Sequence, residues 1–290
     1  MKEKPWDEMY RESVFQDFEE GYSQNKWFQY KKLTDHTGFF SRSEINQKYR
    51  LDAAKKIAVI FSPILNDANL FYGDDLFRGG FREWLVETVR AILKNDQVNW
   101  IIKLHPANNY RRASSGYTGE YGEILAIKEA FGGVPEELRI MYPTDSVNPL
   151  SLFRCLDYGL TVRGTVGAEI PCFGKPVITA GSGRYSGLGF TEDSDSADAY
   201  LGKVRRIHEI PALDEEETRL AIKHAYLFFK VRPAKYETFA KDVYRYPQGN
   251  PFYRDILLDK RHITEVTQNG QLAAIIDWMT DSDDEDFLSW

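Results

Sequence analysis

Three stretches of this sequence carry residue types able to hold a phosphate. His105-Pro106 follows the apolar run Ile101-Ile102-Lys103-Leu104, and an imidazole there can donate to an anionic oxygen and stabilise charge on a departing group. The run Gly164-Thr165-Val166-Gly167-Ala168-Glu169 reads as a glycine turn opening a short helix. At such a turn, unpaired backbone N–H groups and the positive end of the helix meet an anion. Thr165 adds a hydroxyl, Gly167 permits close backbone approach, and Glu169 adds a carboxylate that accepts hydrogen bonds. Each has an ordinary reading as well: a loop histidine satisfied by a carbonyl, a plain strand-to-helix turn, and a first-turn glutamate that favours the helix N-terminus. The third stretch, after Ala180, is a loop with Gly181, Gly183, Gly187 and Gly189.

Four cations, Lys103, Arg163, Lys175 and Arg184, lie nearest these motifs. One or two of them would neutralise a phosphate, with Lys175 favoured and Arg184 beside it. Asp67 follows the first apolar run and is a candidate base or nucleophile, against its ordinary reading as a turn carboxylate. Asp193-Ser194-Asp195 has the Asp-x-Asp spacing of some metal sites. It stands ahead of a helix, where Asp and Ser are common caps, so no metal and no cofactor is expected.

These residues must be positioned by elements whose periodicity is readable from Lys55 onward. Short apolar runs predict strands over 57–61, 98–104, 138–141, 158–162 and 176–180, of the kind buried on both faces of a parallel sheet. Between them, three-and-four spacing predicts helices over 81–93, 123–131, 149–156, 196–208 and 214–230. The last begins with Asp214 and Glu217 at capping-box spacing. Pro106 takes the chain out of its strand, and 107–122 reads as a glycine-bearing loop. Strands alternating with helices predict an α/β fold built on a Rossmann-like parallel sheet, which binds ligands beyond the carboxyl ends of its strands. His105, the 164–169 turn and the loop after Ala180 all fall at such ends.

Three divisions follow: an aromatic and charged N-terminal extension over 1–50, the α/β domain over 51–235, and a C-terminal extension over 236–290 with a helix near 272–279 and an acidic tail. The net charge of −7 argues against nucleic acid as a partner, because phosphate binding needs a basic surface. No signal-peptide core and no apolar run of about 20 residues is present. Cys155 and Cys172 match no metal or CxxC spacing, which fits a reducing compartment. The expectation is a cytoplasmic protein, with peripheral attachment at the inner membrane left open through a partner.

Taken in order, Glu83-Trp84-Leu85, Ile101 to Pro106, Thr165 to Glu169, Gly174-Lys175-Pro176-Val177-Ile178, Tyr185 and Gly189-Phe190-Thr191 resemble the capsule polysaccharide biosynthesis family. Its members look like GT-B glycosyltransferases using nucleotide-activated sugars, CMP-Kdo among them. The resemblance covers about 55–236 and implies the donor-binding C-terminal half of that fold. It implies that His105, Pro106, Thr165, Val166 and Gly167 contact the donor nucleotide and its phosphate, and that Glu169 holds the ribose. The implied activity is transfer of a sugar to a glycan acceptor without a metal, in bacterial surface polysaccharide synthesis. Two departures stand out. Family members usually carry serine where this chain has Gly164, and the acceptor half is not recognisable, so either it lies on a partner chain or this is a fragment or a divergent protein. Two alternatives follow: a non-catalytic donor half serving as an assembly module, and a sugar-nucleotide epimerase-like protein, which the length disfavours.

Overall fold

The computed structural model describes residues 4–23, 38–65, 75–232 and 270–282. Residues 1–225 cluster into one compact unit and 226–290 into a second. The first unit is an α/β Rossmann-like fold. Its strands are β1 (Lys56–Phe61), β2 (Val98–Lys103), β3 (Leu138–Met141), β4 (Tyr158–Thr161) and β5 (Val177–Thr179). They form one sheet in the order β3-β2-β1-β4-β5. Every pairing is parallel, with Phe61 opposite Lys103 and Ile60 opposite Leu160. The chain lays β2 and β3 on one side of β1, then returns to place β4 and β5 on the other. The order in which the chain adds strands therefore reverses between β1 and β4, which is where such sheets open a crevice at their carboxyl edge.

Alternate residues of each strand face opposite ways, and both directions are buried. Ala58, Ile60, Trp100, Ile102, Tyr158 and Leu160 share one core with three helices. These are α3 (Gly80–Ile92), α5 (Gly122–Phe131) and α8 (Ala197–Arg205). Trp84 Nε1 donates to the Tyr200 hydroxyl at 3.0 Å, so polar atoms in this layer are satisfied. On the other face Ile57, Val59 and Ile101 are buried, and Phe61 packs against Phe153 of α6 (Pro149–Cys155).

The aromatic N-terminal stretch forms two helices that cover this second face. In α1 (Glu8–Tyr22) the buried Val14, Phe18 and Tyr22 recur at every fourth residue, the spacing of one helical stripe. Phe18 stacks on Phe173, and Tyr22 packs edge-on to Phe153. In α2 (Arg42–Tyr49), Ser41 and Glu44 make a reciprocal capping box, worth about 1 kcal/mol. Arg42 pairs with Asp157 at 2.7 Å, which fixes α2 beside the start of β4.

The strands and most helices fall where periodicity places them, within two or three residues. One segment differs. Residues 107–115, expected as loop, form α4 (Ala107–Ser115) with Pro106 as its cap and Gly116 ending it at φ 65°. Proline is well suited to a helix start, because the N–H it lacks would be unpaired there anyway. The helix expected over 196–208 ends at Arg205, followed by a 3-10 turn over Ile207–Glu209. That expected over 214–230 divides into α9 (Glu215–Tyr226) and a π-helical turn over Leu227–Val231. In the second unit the helix expected near 272–279 is α10 (Gly270–Asp281). The acidic tail beyond Ser282 lies outside the described residues.

Candidate functional site

Thr161 ends β4 and organises the turn that follows. Its Oγ1 accepts the Gly164 N–H at 3.2 Å, while its carbonyl accepts Ala180 N–H at 3.0 Å from the strand beside it. The turn then closes on itself. Gly167 N–H donates to the Gly164 carbonyl, and Ala168 and Glu169 N–H donate to that of Thr165. The resulting helix, α7 (Val166–Glu169), has only four residues and runs into a 3-10 turn over Ile170–Phe173. Its N–H groups are thus largely used within the turn. What it presents at the edge is its tip, where Gly164 and Thr165 are exposed and Val166 half-buried.

Gly167 is required for a reason the sequence does not show. A Cβ there would overlap the ring of Tyr185, which is buried and donates its hydroxyl to the Gly164 carbonyl at 2.9 Å. The close approach at Gly167 is made by an aromatic ring of this chain. Gly164 is also confined: a Cβ there would stand 2.9 Å from Thr161 Oγ1, the acceptor that holds the turn.

Glu169 points inward. It is 1% exposed and accepts hydrogen bonds from the Tyr22 hydroxyl of α1 and from Thr165. Burial raises its carboxyl above the usual range, and the two hydroxyls pull it part of the way back. Burial, and after it the neighbouring carboxylate, raises the Tyr22 hydroxyl as well, so tyrosine remains the donor.

His105 is exposed just beyond β2. Its Nδ1 accepts the Ala107 N–H at 3.1 Å, which places the proton of a neutral ring on Nε2 and makes that nitrogen a donor. Its carbonyl accepts Asn108 N–H at 3.0 Å, anchoring the first turn of α4. Because β2 and β4 flank β1, the His105 and Thr165 loops stand about 10 Å apart across the end of β1, at ~4.8 Å per strand.

The cations separate. Arg163 pairs with Asp75, and Asp75 bridges Gly181 in the loop after β5, so this ion pair ties three loops of the edge together. Arg184 is exposed in that same loop. Lys175 is not brought to this edge: it immediately precedes β5, and with Arg42 it acts on Cys155 at the amino side of the sheet. At ~3.3 Å per residue it lies a full strand away from Thr165. Lys103 is 9% exposed at the end of β2, on the face opposite the Trp100 core. Burial lowers its ammonium to about 8, against an opposing pull from Asp145. Asp67 lies outside the described residues.

Asp193 has a structural task. Its carboxylate accepts Thr179 Oγ1 at 2.8 Å, Thr191 Oγ1 at 2.9 Å and Gly187 N–H at 2.6 Å. It gathers the glycine loop around the end of β5. Lys203 of α8 holds the next layer, reaching Glu192 and the Asp193 carbonyl. Among the described residues, no group of three or more His, Cys, Asp or Glu is arranged around a metal position. No described helix is long and apolar enough to cross a membrane.

No protein-family model matches the sequence, and no curated protein matches it. Solved structures do resemble it. UDP-GlcNAc 2-epimerase from Neisseria meningitidis, bound to UDP-GlcNAc, is 15% identical over 64% of this chain and 44% of its own, with a TM-score of 0.41. The β-Kdo 2,7 transferase of Thermosulfurimonas dismutans KpsC is 17% identical over 65% of this chain and 52% of its own, at 0.37. The wall teichoic acid polymerase TagF is 13% identical over 64% and 42%, also at 0.37. The chain spans less than half the length of the epimerases it matches. At these scores the likenesses are too loose to carry a function to this chain.

Proposed function

We propose that the carboxyl edge of the sheet binds a nucleotide-activated sugar at the crevice between β1 and β4, and that the chain takes part in glycosyl transfer during bacterial surface polysaccharide synthesis. The observation that carries this reading is the placement of His105 and the exposed tip Gly164-Thr165 on either side of β1. That is a span suited to a nucleoside phosphate. His105 Nε2 donates to the phosphate, the Thr165 hydroxyl does so once it turns from Glu169, Pro106 and Val166 shape the walls, and Arg184 adds charge. Glu169 takes the ribose hydroxyls when Tyr22 yields its place. CMP-Kdo is one donor of the implied class, and a glycan hydroxyl is the acceptor.

Calorimetric titration with CMP, UDP and GDP tests the reading. Saturable binding by at least one nucleotide is expected, weakened about tenfold or more by the His105→Ala/Thr165→Val pair. Absence of binding by all three, or binding unchanged in the double variant, overturns it.

A second reading is a non-catalytic module that assembles polysaccharide-synthesis partners. The pairing of Glu169 with Tyr22, and of Arg163 with Asp75, favours it, since both side chains are already engaged within the chain. Release of nucleotide from a sugar donor by the isolated chain would exclude it.

A further inference from the structure

Beside the His105 turn, α4 and the start of α5 enclose a cleft of about 700 Å³, within the usual range for a small-molecule site. Its chemistry differs from that of the phosphate edge. At its base the Glu123 carboxylate, 1% exposed, accepts Asn108 Nδ2 at 2.7 Å, and Asn108 is itself 9% exposed. At its mouth Tyr117 and Leu125 are exposed by 49% and 39%. Ile64 and Leu65, from the loop after β1, supply an apolar wall.

The charges in the cleft do not suit an anion. Arg112 lies over Tyr121 at 4.3 Å and Tyr117 at 5.7 Å. Its guanidinium donates to the carbonyls of Gly119 and Thr118. Glu120 pairs with Lys128 at 2.8 Å. The positive N-terminal end of α5 is met by Glu123 itself, in the first turn. What remains is a buried carboxylate-amide pair below aromatic and aliphatic surface. A pyranose ring presents the matching pattern, with adjacent hydroxyls on its rim and apolar C–H faces.

We infer that the cleft between α4 and α5 binds a neutral sugar residue of a glycan, its hydroxyls on Glu123 and Asn108 and its apolar face on Tyr117 and Leu125. Burial, which raises the Glu123 carboxyl above its usual range, fits a group that recovers stability by accepting hydroxyls from a ligand. Helix α4, which lines the cleft, begins two residues after His105, so a glycan seated here lies next to the donor edge. That acceptor role rests on the proposed function; saccharide binding does not.

The test is heteronuclear NMR titration of the full chain with maltose, cellobiose and N,N′-diacetylchitobiose, with inorganic phosphate and CMP in separate arms. At least one disaccharide is expected to shift the amides of Asn108, Arg112, Tyr117 and Glu123. Glu123→Gln, which keeps the side-chain size, is expected to weaken that binding about tenfold and to leave the CMP arm unchanged. Tyr117→Ala is a surface change that keeps the test open should Glu123→Gln fail to fold, and it is expected to weaken saccharide binding similarly. The inference is overturned if no disaccharide shifts these amides, if phosphate alone does so, or if the variants that fold bind the sugar as tightly as before. Sugar binding without any nucleotide binding would remove the donor reading and leave the cleft. Nucleotide binding without sugar binding would do the reverse.

Discussion

Tyr22→Phe removes one hydroxyl and little else from the interface between α1 and α7. The ring can stay packed against Phe153, so the loss is confined to the hydrogen bond that Glu169 accepts. Both residues are buried, at 5% and 1% exposure. A hydrogen bond to an ionised partner is worth about 1.5–3 kcal/mol, which for a unit of this size corresponds to roughly 3–12 °C in Tm. The effect carries a pH signature. Burial holds the folded Glu169 carboxyl above its reference value of 4.5, and Tyr22 and Thr165 oppose that shift. A carboxyl whose folded pKa is raised binds its proton more tightly when folded, so its contribution is most favourable at low pH and is lost as pH rises through the folded pKa. Without Tyr22 the folded pKa climbs further and the loss above it deepens. Thermal melts followed by circular dichroism over a series of pH values from acid to alkaline should show a deficit that widens as pH rises through the folded pKa. A deficit that is absent, or constant across the series, would refute the assignment of Tyr22 as the donor that supports a buried Glu169 carboxylate.

Two further outcomes follow from buried groups at the same edge. Lys103 has its ammonium lowered from 10.5 to about 8 by burial. A cation with a depressed folded pKa costs most below that value, and the cost fades as pH rises from 8 toward 10.5. Lys103→Met should therefore stabilise the fold by on the order of 2 kcal/mol at pH 7, with the gain shrinking by pH 10 in the same melts. Gly167→Ala places a methyl into the Tyr185 ring and should cost about 1–3 kcal/mol. In a Tyr185→Ala background most of that penalty should vanish, a non-additivity that denaturant titration of the four variants would measure.

How far the molecule could be read from its sequence varies with the range of the interaction. The strands were legible because Ile57 to Ile60 and Tyr158 to Leu160 are buried on both faces, and unbroken apolar runs follow from that. That His105 and Thr165 fall at one edge was legible too, since the loops after parallel strands all leave from the carboxyl side, but not that the two loops flank β1. Helix α4 was not, because Ala-Asn-Asn-Tyr-Arg-Arg-Ala-Ser-Ser is rich in residues that favour turns over helices. Its start was marked only by Pro106. The N-terminal helices had readable signals in the Val14, Phe18 and Tyr22 spacing and in the Ser41/Glu44 box. The contacts that define the site are a different matter. Tyr22 lies 147 residues from Glu169 and Tyr185 lies 21 from Gly164, and no local pattern announces either pairing. Lys175 was drawn to the site by its nearness in sequence to the 164–169 turn, although the intervening helical turns carry the chain back to the opposite edge.

Lys223 of α9 donates to the carbonyl of Lys4, and Arg219, one turn earlier, lies 5.3 Å from the Trp6 ring. The beginning and the end of the first unit are thereby clasped together. On the ribosome, the helix that shields Glu169 is made before α9, and the segment that secures its leading end emerges some two hundred residues later. Until then α1 has an unfastened end, and the second face of the sheet must wait for translation to reach α9 before its cover is locked.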